Sequence, residues 1–309
     1  MKTNLLALLM VLIIISPKLK SQNYGLHLDG ADDKIGILDS PELNPESALT
    51  IEAWIKADSW ATSIWAGVIA GKQGTNPDKG YCFTCGENGR IEFTHSMDEA
   101  WVAVSTPQIL GLNTWYHVAG VYNGASMKLY VNGILQSSAD VSGTPTPGTD
   151  VVLNFGDNPT WPGRFFHGTL DEIRIWETAR TEQEIQDNMT VELTGSETGL
   201  VGYWNMNEGT GNSIADLTGN GNTGTLLNMG DDAWVEGFTP PGNDVGVIGI
   251  AAPSKIGSGF TSEEYVKIDI KNFATDEVTD FDVSYQIDDG EVVTETVTAT
   301  IPPFGTYIY

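Results

Sequence analysis

Residues 113–136 constrain the fold more than any other part of the chain, because two tight turns lie close together there. The segment reads NTWYHVAGVYNGASMKLYVNGILQ, and its residues 115–122 form an almost unbroken apolar and aromatic run, typical of a strand covered on both faces. An Asn-Gly pair follows this run and another follows the next, and each supplies the positive φ that a tight reversal needs. Residues 127–131 alternate between apolar and wetter positions. The segment predicts an antiparallel meander, the start of a β-sandwich.

Further motifs lie before and after the meander in the chain. They read LHLDGADDKIGI at residues 26–37, SALTIEAWIK at 47–56 and FHGTLDEIRIWETARTEQEIQDNM at 166–189. Together with the meander, they resemble the laminin-G-like, concanavalin-A-like jelly-roll domains of secreted bacterial proteins. The resemblance covers residues 24–237 and implies an all-β fold, an antiparallel β-sandwich of jelly-roll topology.

Two segments depart from the strand pattern. Thr181 and Glu184 have the spacing of a capping box and predict a single short helix over residues 182–189. Residues 58–80 are rich in Trp, Gly, Asn and Asp, and they predict a long surface loop around a short strand at 67–70.

The N-terminus has the pattern of an export signal. A basic start precedes an apolar run at residues 5–15, which is shorter than the roughly 20 residues needed to cross a bilayer. Residues 1–21 therefore predict a signal peptide, with Ser21 before the cleavage point. An uncleaved membrane anchor is the alternative. We expect a protein that is secreted or held at the extracellular cell surface, without membrane insertion after cleavage.

A Thr-Pro-Pro-Gly sequence divides the chain and predicts a linker at residues 239–243 after a laminin-G-like domain over 22–238. Residues 244–309 contain long alternating strands and no tryptophan, and they resemble small Ig-like modules of the cell-adhesion type. The segment is shorter than the roughly 100 residues of a seven-strand sandwich. We therefore expect a partial, truncated Ig-like β-sandwich there, with further domains of the same polypeptide missing after it.

The charge of the chain excludes some classes of partner. The formal net charge is -26, from 15 basic and 41 acidic residues. Such a field repels nucleic acid and anionic membrane surfaces, and it suits divalent cations. We expect no nucleic-acid partner.

Residues typical of catalysis do not form a known pattern. Glucanases of this fold carry a Glu-x-Asp-x-x-Glu strand, whose alternate residues place nucleophile and acid on one face, and this chain has no such motif. The four histidines are scattered and read as packing or surface residues. Cys82 and Cys85 lie three apart on a predicted strand, about 10 Å from each other, so they read as packing thiols rather than a disulfide. The sequence predicts no catalytic residues.

The resemblance also implies one structural calcium ion. Its candidate ligands are Asp29 in LDGADD and Asp171 in GTLDEIRIW, with backbone carbonyls nearby. Calcium takes six to eight oxygen ligands, and carboxylates are the commonest among them. The alternative is that Asp29 caps its own turn and Asp171 accepts hydrogen bonds from backbone amides.

Four of the nine tryptophans lie in or next to predicted loops, and they are the candidate ligand-binding residues: Trp60, Trp65, Trp101 and Trp161. Sugar rings have C–H faces that stack on aromatic rings, so these side chains predict a glycan platform. The alternative is that each tryptophan pins its loop to the sandwich.

The sequence thus predicts a secreted, non-catalytic binding or adhesion module that recognises a glycan or a surface glycoprotein and is stabilised by calcium. Two alternatives stay open. One is a structural spacer domain of a larger adhesin, and the other is an accessory module of a glycoside hydrolase. The laminin-G-like family serves adhesion, signalling and carbohydrate attachment alike, so fold alone does not choose among them.

Overall fold

The computed structural model of the chain describes residues 23–240, 245–252, 267–272, 277–279, 281–285, 293–302 and 305–309. The predicted signal peptide over residues 1–21 and most of the predicted linker lie outside the described residues. Among the described residues, no helix is long and apolar enough to span a membrane.

Residues 23–240 form two antiparallel sheets that pack face to face around one hydrophobic core. The elements are β1 (Tyr24–Asp29), β2 (Lys34–Ile37), β3 (Leu49–Ala57), β4 (Gly67–Gly74), β5 (Lys79–Gly86), β6 (Arg90–Met97), β7 (Ala100–Ser105), β8 (Tyr116–Tyr122), β9 (Ser126–Val131), β10 (Ile134–Asp140), β11 (Leu153–Phe155), β12 (His167–Trp176), α1 (Glu182–Asn188), β13 (Leu200–Trp204), β14 (Ser213–Ile214), β15 (Gly224–Leu227) and β16 (Trp234–Glu236). Sheet 1 has the order β10-β9-β8-β3-β12-β1-β16, and β13 also pairs with β12; sheet 2 has the order β14-β15-β2-β11-β4-β5-β6-β7.

Alternation of side chains explains why these strands form two layers. On β3, Ile51 and Ile55 are buried in the core between the sheets, and Phe83 and Phe93 pack against each other on the sheet 2 side. Glu52 and Trp54, which alternate with these core residues on β3, point away from the core, because successive side chains of a strand face opposite sides. The predicted all-β fold class, an antiparallel sandwich consistent with a jelly roll, is confirmed.

The predicted meander is β8, β9 and β10, which pair in that order. Its second turn has positive φ at both Asn132 and Gly133, as the Asn-Gly pattern requires. In the first turn only Gly124 has positive φ. The side chain of Asn123 instead accepts hydrogen bonds from the backbone N–H groups two and three residues on. Both pairs thus reverse the chain, by different means.

The predicted helix is α1, and it begins with the predicted capping box. The Thr181 hydroxyl accepts from the N–H of Glu184, while the Glu184 carboxylate accepts from the N–H of Thr181. Ile185 packs against Ala119, Val121 and Tyr130, residues on the outer side of β8 and β9. The helix therefore covers part of the outer face of sheet 1.

Strands also occur beyond the predicted linker: β17 (Val245–Ala252), β18 (Lys267–Asn272), β19 (Phe281–Tyr285), β20 (Val293–Val297) and β21 (Thr306–Ile308). Where the structure describes them, they pair in the order β17-β18-β21, and β19 pairs with β20. An Ig-like topology for this part, and the domain boundaries at residues 22–238 and 244–309, stay predictions.

Candidate functional site

An open cavity of about 350 Å³ lies on the outer face of sheet 2. Its floor is formed by β5 and β6, whose register places Thr84 opposite Glu92 and Cys82 opposite Thr94. Because side chains alternate along a strand, these four point away from the core while their neighbours pack into it. The cavity floor therefore consists of polar and small side chains presented by two rigid strands.

Three tryptophans form the walls of this cavity. Trp65 lies in the short turn before β4, Trp101 lies in β7, and Trp161 lies in the loop between β11 and β12. The guanidinium of Arg164 lies 4.4 Å from the ring centre of Trp65 and 4.7 Å from that of Trp161, within range of cation–π attraction. The rings of Trp101 and Trp161 meet edge to face at 6.5 Å. One cation thus holds two of the three rings in place.

Buried polar side chains fix the loop that carries Trp161 and Arg164. Asp157 Oδ1 accepts hydrogen bonds at 3.1 Å from two consecutive backbone N–H groups, the second of which is that of Arg164. Asn158 Oδ1 accepts from two further N–H groups at 2.9 and 3.0 Å, the second being that of Trp161. Both anchoring side chains are almost completely buried. The walls are therefore pre-organised.

The polar groups of the cavity can serve as hydrogen-bond partners for a ligand. The Thr84 hydroxyl is buried and has no hydrogen-bond partner in the described structure, an arrangement that costs free energy unless a ligand or water completes it. Burial raises the pKa of the Glu92 carboxyl, while Thr94 and Arg90 lower it. Burial also lowers the pKa of Arg164, and Cys82 and Asp157 counter this effect. Donor and acceptor groups thus converge beside the aromatic rings.

The structure brings together three of the four predicted tryptophans: Trp65, Trp101 and Trp161. Trp60 lies elsewhere and packs, partly buried, against the hydrophobic core, which is the loop-pinning role of the alternative. The sequence analysis missed Thr84, Glu92 and Arg164. Thr84 and Glu92 could have been found from the sequence, because they occupy outward-facing positions of a predicted hairpin that lies next to loop tryptophans.

The two predicted calcium ligands do not meet. In the β1–β12 pairing Asp29 lies opposite His167, and Asp171 lies four residues further along β12, about 13 Å away along the strand. Oxygen atoms that share a calcium ion lie within about 5 Å of each other, because each is about 2.3–2.6 Å from the ion. Aspartate side chains are too short to close that gap. The strand register therefore contradicts the predicted calcium site shared by Asp29 and Asp171.

Each of the two aspartates has a different local role. Asp171 is completely buried, and its oxygens accept from the backbone N–H groups of Glu172 and Phe238 at 2.8 and 2.7 Å. Burial, with the charge of Glu172, raises the pKa of Asp171 well above its usual value. Asp29 Oδ1 accepts from the N–H groups of Ala31 and Asp32, which lowers its pKa. Both residues therefore make the backbone contacts of the alternative interpretation.

Asp29 nevertheless belongs to an acidic group. One ligand oxygen from each of Asp29, Asp32 and Asp33 lies within 4.8 Å of the others. Asp33 is buried, and burial raises its pKa. Three carboxylates at these separations fit a hard cation that takes oxygen ligands.

A second cavity of about 310 Å³ lies on the outer face of sheet 1, next to Trp54 and Phe238. Its charged lining residues are Glu172, Arg174 and Glu192. The Glu172 carboxylate lies 2.6 Å from the Arg174 guanidinium, and Glu192 accepts from the side chain of Asn205 at 3.0 Å. Arg174 also donates to two backbone carbonyls at 2.8 Å. Because these groups already bind one another and the backbone, this cavity offers a ligand less than the tryptophan-lined one does.

Cysteine and histidine positions agree with their predicted packing roles where they are buried. Cys82 and Cys85 are free thiols, and burial raises the pKa of each to about 12. Burial lowers the pKa of His95 to about 4 and that of His117 to about 3, so neither carries charge near neutral pH.

Comparisons with known proteins agree with this fold. Residues 29–186 match the laminin-G-like family described as the concanavalin A-like lectin/glucanases superfamily. Pappalysin-1 of Mus musculus is 27% identical over 179 residues, which are 53% of this chain and 11% of the mouse protein. Human pappalysin-1 is 25% identical over 190 residues, again 11% of its length. The chain thus spans about a tenth of these relatives.

A solved structure from Bacteroides ovatus, of a protein named as a candidate carbohydrate binding protein, has a similar fold. The TM-score is 0.54 at 23% sequence identity, and the match covers 67% of this chain and 58% of the other. At this identity the likeness concerns the fold.

Proposed function

The chain belongs to the concanavalin A-like lectin/glucanase superfamily, and we propose that it is a secreted, non-catalytic module that binds carbohydrate. The observation that carries this proposal is the convergence of Trp65, Trp101 and Trp161 with Arg164 in one open cavity. The name of the similar Bacteroides ovatus protein supports it.

The cavity has the chemical features that sugar recognition needs. The aromatic faces offer negative π-surfaces to the C–H groups of a sugar ring. Thr84 supplies an unpartnered hydroxyl, Glu92 an acceptor and Arg164 donors, so hydroxyl groups of the sugar find both kinds of partner. At about 350 Å³ the cavity is at the small end of the roughly 300–1,000 Å³ typical of ligand pockets. We propose that about one or two sugar rings bind there.

Charge favours a neutral sugar over an acidic one. The cavity is lined by one cation, Arg164, and by two acids, Asp78 and Glu92. The chain as a whole carries a formal charge of -26, which repels anionic ligands. Arg164 is moreover already placed on two aromatic rings. The proposed ligand class is therefore a neutral glycan.

The test is a glycan array with the purified protein, followed by calorimetric titration of the sugars that bind. We expect neutral glycans to bind, and Trp161→Ala to abolish their binding while the protein stays folded by circular dichroism. Trp60→Phe is the matched control, since Trp60 lies outside the cavity. If no neutral glycan binds the folded protein, or if Trp161→Ala binds like wild type, the proposal is wrong.

We propose calcium as a stabilising ion at the turn of Asp29, Asp32 and Asp33, in place of the pair predicted from sequence. A ligand that binds only the folded state stabilises it by RT ln(1 + [L]/Kd), about 2.7 kcal/mol at a hundredfold excess over Kd. We expect millimolar calcium to raise the melting temperature relative to EGTA, and Asp32→Asn to remove that shift. Superimposed wild-type melts in the two buffers would disprove the site.

The absence of a catalytic role is also a proposal. A hydrolase of this fold would need the Glu-x-Asp-x-x-Glu strand that places two carboxylates on one face, and this sequence has no such motif. The cavity acids Asp78 and Glu92 lie on different elements, the turn before β5 and strand β6. We expect no hydrolysis of any glycan that binds. Turnover that disappears in Glu92→Gln would make the protein an enzyme.

A further inference from the structure

Three potential metal ligands meet on the outer face of sheet 1, away from the tryptophan-lined cavity. His27 lies on β1 between two core leucines, so its side chain points outward. His167 begins β12, and the β1–β12 register places it opposite Asp29, two positions along from His27 on the same face. Asp58 directly follows β3, and its N–H donates to the carbonyl of His167 at 3.0 Å. Three neighbouring strands thus deliver one side chain each.

The distances between these side chains suit a small metal ion. His27 Nε2 lies 2.9 Å from Asp58 Oδ2, and one ligand atom from each of His27, Asp58 and His167 lies within 4.8 Å of the others. Tetrahedral zinc holds its ligands at about 2.0–2.2 Å, which puts neighbouring ligand atoms about 3.4 Å apart. The observed separations, from 2.9 Å to at most 4.8 Å, bracket this spacing.

A neighbouring hydroxyl prepares one histidine for metal binding. Ser59 Oγ lies 2.8 Å from His167 Nδ1. When the hydroxyl accepts from Nδ1–H, the other ring nitrogen keeps its lone pair for a metal, which is the usual arrangement of a metal-ligating histidine. The ring of His27 meets that of His167 edge to face at 6.0 Å.

The surroundings favour a cation and leave it accessible. Asp29 and Asp33 line a cavity of about 190 Å³ together with His27, and they add negative charge beside the histidines. The side chains of His27 and Asp58 are 33% and 32% exposed, so an ion can enter and keep one position open.

We propose that His27, Asp58 and His167 form a zinc site with three protein ligands and a fourth coordination position open to water. Two imidazoles select a transition metal over calcium, which takes oxygen ligands. The ion ties together β1, β12 and the end of β3. The site is separate from the proposed glycan site, which is on the other sheet.

The test is titration of the purified, EDTA-dialysed protein, free of any affinity tag, with Zn²⁺ by calorimetry and with Co²⁺ by visible absorption. We expect one high-affinity zinc ion in the presence of excess calcium, and a cobalt spectrum of low coordination number. His167→Gln and Asp58→Asn should each weaken zinc at least tenfold. Ser59→Ala, which removes only the positioning contact, should weaken it about tenfold.

Asp32→Asn is the matched control, because it removes an acid of the neighbouring turn but no proposed zinc ligand. It should leave zinc affinity within about twofold of wild type while it removes the calcium effect. A melt of each metal-free variant checks folding. The site is disproved if wild type binds no zinc, if His167→Gln and Asp58→Asn bind zinc as wild type does, or if Asp32→Asn weakens zinc as much as they do.

Discussion

The outer faces of the two sheets treat their charged groups differently. On sheet 1, α1 and the chain that follows it cover Glu52, Glu172 and Arg174. On sheet 2, Glu92 and Arg164 line an open cavity. The covered charges bind one another. Arg174 is 1% exposed, lies 2.6 Å from Glu172 and 3.7 Å from Glu52, and donates to carbonyls of the chain above it. The open charges instead lie beside aromatic rings and an unpartnered hydroxyl.

The charged groups on the two outer faces therefore have different roles, stability on sheet 1 and ligand recognition on sheet 2. Buried charges that pair with one another hold a covering segment onto sheet 1, although Glu52 Oε2 and Arg174 Nε have no hydrogen-bond partner among the described residues. Removing one member of the group leaves the others without compensation. On sheet 2, Glu92 and Arg164 line an open cavity and can form further hydrogen bonds, so they are available to a ligand. Four predictions test this contrast.

The largest effect is expected at Arg174. Among the described residues, Arg174 is the only cation within 4 Å of Glu52 or Glu172, and Arg174→Met removes it. His117 also lies near Glu52, at 3.5 Å, but it is neutral because burial lowers its pKa. Leaving buried carboxylates unpaired costs about 3–5 kcal/mol. Urea unfolding measures it, with Arg90→Met as the control, since the exposed pair of Arg90 with Glu87 contributes at most about 1 kcal/mol. Equal losses in the two variants would remove the contrast between the faces.

A smaller effect, on binding rather than stability, is expected at Trp65. Its side chain is 48% exposed and forms a wall of the cavity. Trp65→Ala should weaken glycan binding at least tenfold, about 1.4 kcal/mol, and change the free energy of unfolding by only about 0.5 kcal/mol. Calorimetry and urea unfolding on the same sample separate the two. A stability loss that accounts for the lost binding would make Trp65 a structural residue.

A change of about 1 kcal/mol is expected at the start of α1. Thr181→Ala removes the capping hydroxyl that accepts from the N–H of Glu184, and caps of this kind contribute about 1 kcal/mol. The loss should appear in urea unfolding and leave glycan affinity unchanged, because α1 covers the opposite sheet. Gln183→Ala, on the exposed side of the helix, is the control. Reduced glycan affinity in Thr181→Ala would show that the two faces are coupled.

The smallest effect is a pH dependence that has opposite signs on the two faces. Burial raises the pKa of Glu92, so its contribution to stability is present at low pH and is lost as pH rises through the folded-state pKa. Hydrogen bonds from Thr181 lower the pKa of Glu184, so its contribution is present at higher pH and is lost as pH falls through the folded-state pKa.

Melting temperatures from about pH 3 to pH 7 test these signs, because the lowered pKa of Glu184 places its transition at the acidic end of this range. Relative to Glu92→Gln, wild type should lose stability as pH rises, and relative to Glu184→Gln it should gain stability. Parallel curves for both variants would contradict the assigned environments.

The local sequence pattern was sufficient to predict structure wherever the rule that determines the structure acts over a few residues. The meander of β8 to β10 follows from alternation and two Asn-Gly turns, and α1 follows from the spacing of Thr181 and Glu184. The sequence also marked Trp65, Trp101 and Trp161 as loop-associated aromatics. These features depend on neighbours in the chain, so the chain alone reports them.

Contacts across the sheets decided what local pattern could not. The predicted short strand at residues 67–70 continues through residues 71–74, which were predicted as loop, and the whole strand Gly67–Gly74 is buried. Its Lys72 donates to the carbonyls of Gly148 and Val151, far along the chain. Composition predicted a loop there because residues 58–80 are rich in Trp, Gly, Asn and Asp. Only partners distant in sequence make the glycines and the lysine of residues 71–74 suitable for burial.

The amino-acid sequence was enough to predict the fold class, the meander, the helix and the residue types available for binding. Which of those residues meet depends on the folded structure. It separated Asp29 from Asp171, left Trp60 at the core, and placed Arg164 between Trp65 and Trp161. The physical reason is that cross-strand register and loop anchoring set the distances between residues remote in sequence, and a shift of register by one residue changes every neighbour.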